Sequence, residues 1–159
     1  MNSIVIRRAV TAPISDQVVR RIISHGLAVL QLVDISVEVG IQFIGPVRMR
    51  SLNRERRGID APTDVISLPL LTPAEIKKFK NSGFGKQNNS GPMLIGDIVI
   101  CPTVARQRAR EEKVSLTNKY AWLLVHGLLH LAGYDHEVSV GAARTMEVLE
   151  QQILSPARK

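Results

Sequence analysis

This chain of 159 residues has neither a second cysteine with which to form an internal disulfide nor a long apolar segment. Its single cysteine, Cys101, has no partner within the chain, a usage typical of a reducing compartment. The longest apolar stretch, residues 121–133, falls short of the roughly 20 residues that span a bilayer. Arg7 and Arg8 follow the first methionine too soon to leave room for the apolar region of a secretory signal. We therefore expect a cytoplasmic protein that is neither secreted nor embedded in a membrane.

Aromatic residues are also scarce, with one Trp, two Tyr and three Phe. None of them lies within residues 48–57, where basic residues are concentrated. Five arginines stand there, with a single glutamate among them: Arg48, Arg50, Arg54, Arg56 and Arg57. The net charge of +7 attracts polyanions such as nucleic acid, although basic charge also simply keeps proteins in solution. Without interleaved aromatics, the cluster predicts contacts to phosphates rather than a platform for stacked bases.

Hydrophobic periodicity predicts an α+β fold in a single compact domain over residues 1–159. Four segments have the patterns of strands: residues 3–7, 35–44, 65–70 and 94–100. Periodicity and caps predict helices over residues 15–32, 46–58, 102–113, 116–132 and 141–154, and a short one over 72–79. Turn-forming residues fill 81–92, which we expect to be a flexible surface loop. The sequence thus predicts a small mixed sheet of about four strands packed with about five helices.

Three of the four histidines fall within eleven positions, at His126, His130 and His136. Side chains four apart on a helix share one face, so the first two can bind one ion together. Gly133 can end that helix and let the third histidine turn back toward them. Three protein ligands leave one coordination position open, as in catalytic zinc sites. We therefore predict one Zn²⁺ per chain, held by a buried central helix and the turn after it.

The histidine spacing also matches the metzincin proteases, whose pattern is H-E-x-x-H-x-x-G-x-x-H followed by a methionine turn. Met146 follows at a compatible distance here. Those proteases need a glutamate directly after the first histidine as general base, and this chain has Gly127 at that position. A zinc metallopeptidase is therefore the weaker alternative.

Three segments of the chain resemble the YbeY family. The run from His126 to His136 matches its signature H-G-x-L-H-L-x-G-Y-D-H. Residues 52–67 are similar to its pattern L-N-x-x-Y-R-x-x-D-x-P-T-D-V-L-S, and residues 95–100 to its L-G-D-I strand. Two positions depart from the pattern, since Arg56 replaces the usual tyrosine and Leu68 the usual phenylalanine.

The resemblance implies a metal-dependent endoribonuclease that cuts single-stranded RNA. Members of this family act in ribosomal RNA maturation, including the 3′ end of 16S rRNA, and in ribosome quality control. The implied partners are an rRNA precursor and the ribosome or its small subunit, rather than DNA or a membrane. A non-catalytic ribosome-assembly factor, in which metal only stabilises the fold, is the second alternative.

The resemblance also implies roles for individual residues. It makes the three histidines the zinc ligands and assigns catalysis to His126 and Arg57, with the arginine stabilising charge on the phosphate. The departure at Arg56 leaves open which of the two adjacent arginines enters the site. Three carboxylates are candidates for supporting the ligands or moving protons: Asp135, Asp97 and Asp64. Asp135 can equally cap the turn after Gly133, and no general base is assigned.

Overall fold

A four-stranded mixed sheet organises the protein, whose computed structural model describes residues 1–82 and 91–155. The strands are β1 (Ser3–Arg8), β2 (Val37–Phe43), β3 (Val65–Pro69) and β4 (Met93–Ile100), in the order β1-β2-β4-β3. β1 and β2 are parallel, as are β2 and β4, whereas β3 runs antiparallel to β4 at the edge. The predicted α+β class and mixed sheet are therefore confirmed.

Six helices surround this sheet within the described ranges, one for each of the five longer predicted segments and the short one. They are α1 (Asp16–Val29), α2 (Pro46–Arg57), α3 (Pro73–Ser82), α4 (Pro102–Glu112), α5 (Leu116–Leu131) and α6 (Val140–Leu154). In the parts of the chain that the structure describes, no helix combines the length and apolarity needed to cross a membrane. Of the predicted loop 81–92, the first two residues belong to α3, and residues 83–90 lie outside the described ranges.

Helix α1 ends about three residues before the predicted position. Gln31 adopts a left-handed conformation with φ 57°, and the Leu32 N–H donates to the carbonyl of Leu27. This is the Schellman arrangement that usually has glycine after the helix. Because glutamine occupies that position here, the sequence carried no sign of the stop.

Helix α5 is buried against one face of the sheet, as its apolar sequence predicted. The approach is close at Gly127, where a Cβ would lie 2.7 Å from Cγ2 of Ile98 on β4. The opposite face of the sheet carries a second cluster that includes Met49, Val99 and the buried Cys101. The sheet therefore fixes the depth and tilt of the helix that carries two of the histidines.

The contact at Gly127 gives a stability prediction. Gly127→Ala is expected to lower stability by about 1 kcal/mol, because the cost of overpacking exceeds the gain in helix propensity. Thermal unfolding should show a midpoint lower by about 2–4 °C. The matched control is Gly141→Ala in α6, where the nearest atom to a new Cβ lies at 3.9 Å. A Gly127 variant as stable as this control would contradict the close-packing argument.

Candidate metal centre and active-site groove

The three predicted ligands come together at the C-terminal end of α5. The Nε2 atoms of His126 and His130 lie 3.1 Å apart, one helical turn from each other. Gly133, with φ 94°, turns the chain, and His136 returns from the following segment. One ligand atom from each ring lies within 4.8 Å of the other two, a spacing compatible with one shared metal ion.

The first histidine is held on two sides by residues outside the sequence motif. Nδ1 of His126 lies 2.7 Å from Oε1 of Glu150 on α6. The same ring stacks on Trp122, with centroids 4.4 Å apart and planes inclined by 22°. A carboxylate on one ring nitrogen fixes the tautomer and leaves the other nitrogen free for a metal. Glu150 and Trp122 thus orient Nε2 of His126 toward the other two rings.

The surroundings of His130 favour the neutral imidazole over the charged one. Burial lowers the pKa of His130, and the neighbouring His126 and His136 lower it further, while nearby acidic groups oppose them. A neutral imidazole is the form that binds a metal ion. The donor set and its spacing therefore fit a divalent metal ion such as zinc.

The contact between Glu150 and His126 gives a second prediction. Glu150→Gln is expected to weaken metal affinity about 10–100-fold, because the imidazole loses its charged partner. Competition with a chromogenic chelator measures the affinity, with thermal unfolding as a check on the fold. Glu147→Gln is the control, since Glu147 lies exposed on the same helix. Equal zinc affinity in the two variants would show that Glu150 does not support the metal.

A groove of about 850 Å³, here called the histidine groove, opens beside the three rings. Residues 63–71, which include edge strand β3, form one wall. The other wall includes the three histidines together with Trp122, Lys119 and Arg108. Arg56 and Arg57 at the end of α2 also line it. A ligand in this groove would meet the metal ligands and two exposed arginines at once.

The arginine cluster divides into two groups. Arg50 makes two hydrogen bonds to Asp60, at 2.9 and 2.8 Å, and Arg54 makes one at 3.4 Å. These bonds, chiefly the one from Arg50, lower the pKa of Asp60. Neither arginine is among the described residues that line the histidine groove, and Arg48 is not among them either. Of the five arginines in this cluster, the structure therefore brings two, Arg56 and Arg57, to the described lining of the groove.

Asp64 lies in the wall of the groove but is occupied by cations. Its Oδ1 accepts from Arg108 at 2.9 Å and from the backbone N–H of Val65 at 2.9 Å. Its Oδ2 lies 3.3 Å from Nζ of Lys119. In the part of the chain that the structure describes, none of its hydrogen-bond or ion-pair partners is a histidine. Asp64 is therefore a buried carboxylate that holds the side chains of Arg108 and Lys119 in position.

The other two candidate carboxylates differ in position. Asp135 lines the groove, and its Oδ1 accepts from the backbone N–H of Glu137 at 2.9 Å, so it caps the turn. Asp97 is not among the described groove residues, because neighbouring strand residues face opposite sides. Ile98 faces α5, whereas the carboxylate of Asp97 lies over Gly40 on β2. Of the two, the structure brings only Asp135 near the histidines.

Sequence reasoning missed several residues of the site: Glu150, Trp122, Arg108 and Lys119. One signal existed for Glu150, a charged residue four positions after Met146 and three before Ile153 on the buried side of α6. A charge on an apolar stripe requires a partner. The other three positions carried no comparable signal, since they reach the groove through the packing of α4 and α5.

Comparisons with known proteins agree with this geometry. Residues 7–158 match the family model described as Endoribonuclease YbeY. A protein of that name from Acinetobacter baumannii is 40% identical over 118 residues, which cover 74% of this chain and 68% of the relative. One from Bradyrhizobium diazoefficiens is 38% identical over 146 residues, covering 90% and 73%.

A solved structure supports the fold independently. The solution structure of a Thermotoga maritima protein superimposes with a TM-score of 0.57 at 22% identity, covering 94% of this chain and 88% of that one. At this identity the likeness concerns the fold alone. The family match over nearly the whole chain and the relatives near 40% identity carry the assignment. The chain belongs to the YbeY endoribonuclease family.

Proposed function

We propose that this protein is a zinc-dependent endoribonuclease specific for single-stranded segments of ribosomal RNA precursors. The observation that carries the proposal is one groove lined both by three converging histidines and by Arg56 and Arg57. The proposed substrate is the precursor 3′ end of 16S rRNA, met in the cytoplasm on the ribosome or its small subunit, with a further role in ribosome quality control. Family membership and the net charge of +7 support a polyanionic RNA substrate.

The residues of the groove have distinct roles in this proposal. His126, His130 and His136 hold one zinc ion, and Glu150 keeps the first ring in position. The bound zinc would supply Lewis acidity, which polarises a phosphoryl oxygen and activates water near neutral pH. The Arg57 guanidinium would donate to the phosphoryl oxygens, where negative charge develops as the bond breaks.

The packing of α5 argues against the peptidase alternative. A glutamate in place of Gly127 would have its Cβ within 3.2 Å of three side-chain atoms of Ile98, so the position faces the sheet. A carboxylate there could serve as general base only if the helix moved. The nuclease function does not require a side chain at that position.

The test combines metal analysis with cleavage. Purified protein is expected to contain about one zinc per chain, and to cut a single-stranded 16S rRNA 3′ precursor but not the same segment in a duplex. Chelation should stop cleavage and zinc should restore it. Cleavage of casein with the RNA left intact would favour the peptidase. A folded, zinc-loaded protein without activity would favour the assembly factor, and full activity without metal would overturn the mechanism.

A further inference from the structure

A second groove of about 530 Å³, here called the apolar groove, adjoins the histidine groove. Val114, Asn118, Ala121, Trp122 and Leu154 line it. Among the described residues, Glu112, Lys119 and Trp122 line both grooves, so these side chains lie between them. Because Trp122 stacks on His126, the apolar groove begins one aromatic ring away from the proposed metal site.

The lining suits a small, planar and partly polar group. Val114 and Leu154 are apolar yet 42% and 37% exposed, and the exposed Asn118 adds an amide that can both donate and accept hydrogen bonds. The volume lies within the range of small-molecule pockets and suits a single ring system better than a protein partner. A nucleobase has this combination of apolar faces and a hydrogen-bonding edge.

The charges between the grooves are balanced. Nζ of the buried Lys119 lies 3.0 Å from both carboxylate oxygens of Glu112 and 3.3 Å from Oδ2 of Asp64. Arg108 binds the same aspartate from the groove side. Two cations thus neutralise the two carboxylates between the sites. An RNA strand that extends from one groove into the other would meet no net negative charge there.

We propose that the apolar groove binds a nucleobase of the RNA strand, adjacent to the phosphate held in the histidine groove. The inference rests on the proposed function, which supplies RNA as the substrate. His126 covers one face of the Trp122 ring, and Nζ of Lys119 lies over the ring at 5.1 Å from its centroid, so the base packs against the edge of the indole and the aliphatic side chains. A base can enter only after it leaves its stack, which gives single-strand specificity a physical basis.

The experiment pairs a filled groove with a substrate that lacks the base. Ala121→Phe places a ring in the groove, and single-stranded oligonucleotides carry one abasic residue at successive positions near the cleavage site. Each change alone is expected to raise KM about tenfold, in the range of one base–aromatic contact. At the matching position the two changes together should raise KM no further. The kcat and the zinc content should stay near those of the wild type.

A second variant guards against a folding defect in the first. Val114→Glu puts a charge on an exposed side chain of the same groove and should also raise KM for the intact strand. Val148→Glu, on an exposed valine of α6 outside the groove, is the matched control and should leave KM unchanged. Multiplicative losses in the Ala121→Phe and abasic combination would overturn the proposal. So would a concentration-dependent dimer that is lost in Val114→Glu, which would show a second copy in the groove.

A measurement of RNA binding tests this inference separately from the proposed function. Trp122 is the only tryptophan in the chain and lines both grooves, so its fluorescence reports RNA binding, and the abasic strand isolates the part that the base contributes. Titration of the Trp122 emission gives the Kd of an intact oligonucleotide, even in a protein that cuts no RNA. An oligonucleotide with an abasic residue at the matching position should have a Kd about tenfold higher. If the protein does not cleave RNA but the two strands differ in affinity, the nuclease function is contradicted and the base site is supported. If the protein cleaves RNA but binds both strands with the same affinity, the base site alone is contradicted.

Discussion

His130→Ala should remove both the bound zinc and the nuclease activity. Its Nε2 lies 3.1 Å from that of His126, and its side chain is half-buried. Loss of an outer partner of a ligand already costs about 10–100-fold in metal affinity, so loss of the ligand itself should cost more. We expect kcat/KM to fall by at least about a thousandfold, since the groove keeps its arginines but loses the metal's chemistry. Elemental analysis and cleavage of the rRNA precursor measure the two losses.

The fourth histidine of the chain provides the control. His25→Ala changes a residue of α1 that is not among those lining the histidine groove, so zinc content and cleavage should stay at wild-type levels. His136→Ala extends the test, because His136 lies on a turn and its side chain is 43% exposed. This variant should keep the fold while losing metal and activity. A folded His136→Ala or His130→Ala protein with full cleavage would remove the metal from the mechanism.

Arg57→Lys is expected to lower kcat about 100- to 1,000-fold without changing zinc content or thermal stability. Lysine keeps the positive charge but loses the planar fork that binds two phosphoryl oxygens together. The loss should therefore fall on kcat more than on KM. Single-turnover cleavage with saturating enzyme measures the chemical step directly.

Two neighbouring arginines make this prediction specific. Arg54→Lys changes an arginine bound to Asp60 outside the described lining of the groove, and it should leave kcat unchanged. Arg56→Lys decides which arginine acts, because both Arg56 and Arg57 line the groove. If Arg56→Lys lowers kcat and Arg57→Lys is fully active, Arg56 is the arginine that binds the phosphate. A wild-type kcat in all three variants would show that the phosphate has no arginine partner among these three residues.

Local rules account for most of the fold that was predicted. The four strands and the helices followed from periods of two and 3.6 residues, which depend on neighbours along the chain. Errors occurred where local chemistry was atypical, as at Gln31, which takes the left-handed position usually given to glycine. Asp97 lies outside the described lining of the histidine groove for a different reason. The face of a strand that meets the site depends on which helix packs there.

The sequence alone determined the histidine triad, the family and the class of enzyme. His126 and His130 share a helix face because they are one turn apart, and Gly133 lets His136 return, so neither depends on distant residues. Only the tertiary structure decided what surrounds them. It placed Glu150 against a histidine 24 positions away and left two of the five arginines in the groove. These choices follow from how α2 and α5 pack on the sheet and how α6 packs on α5, and no local spacing encodes that packing.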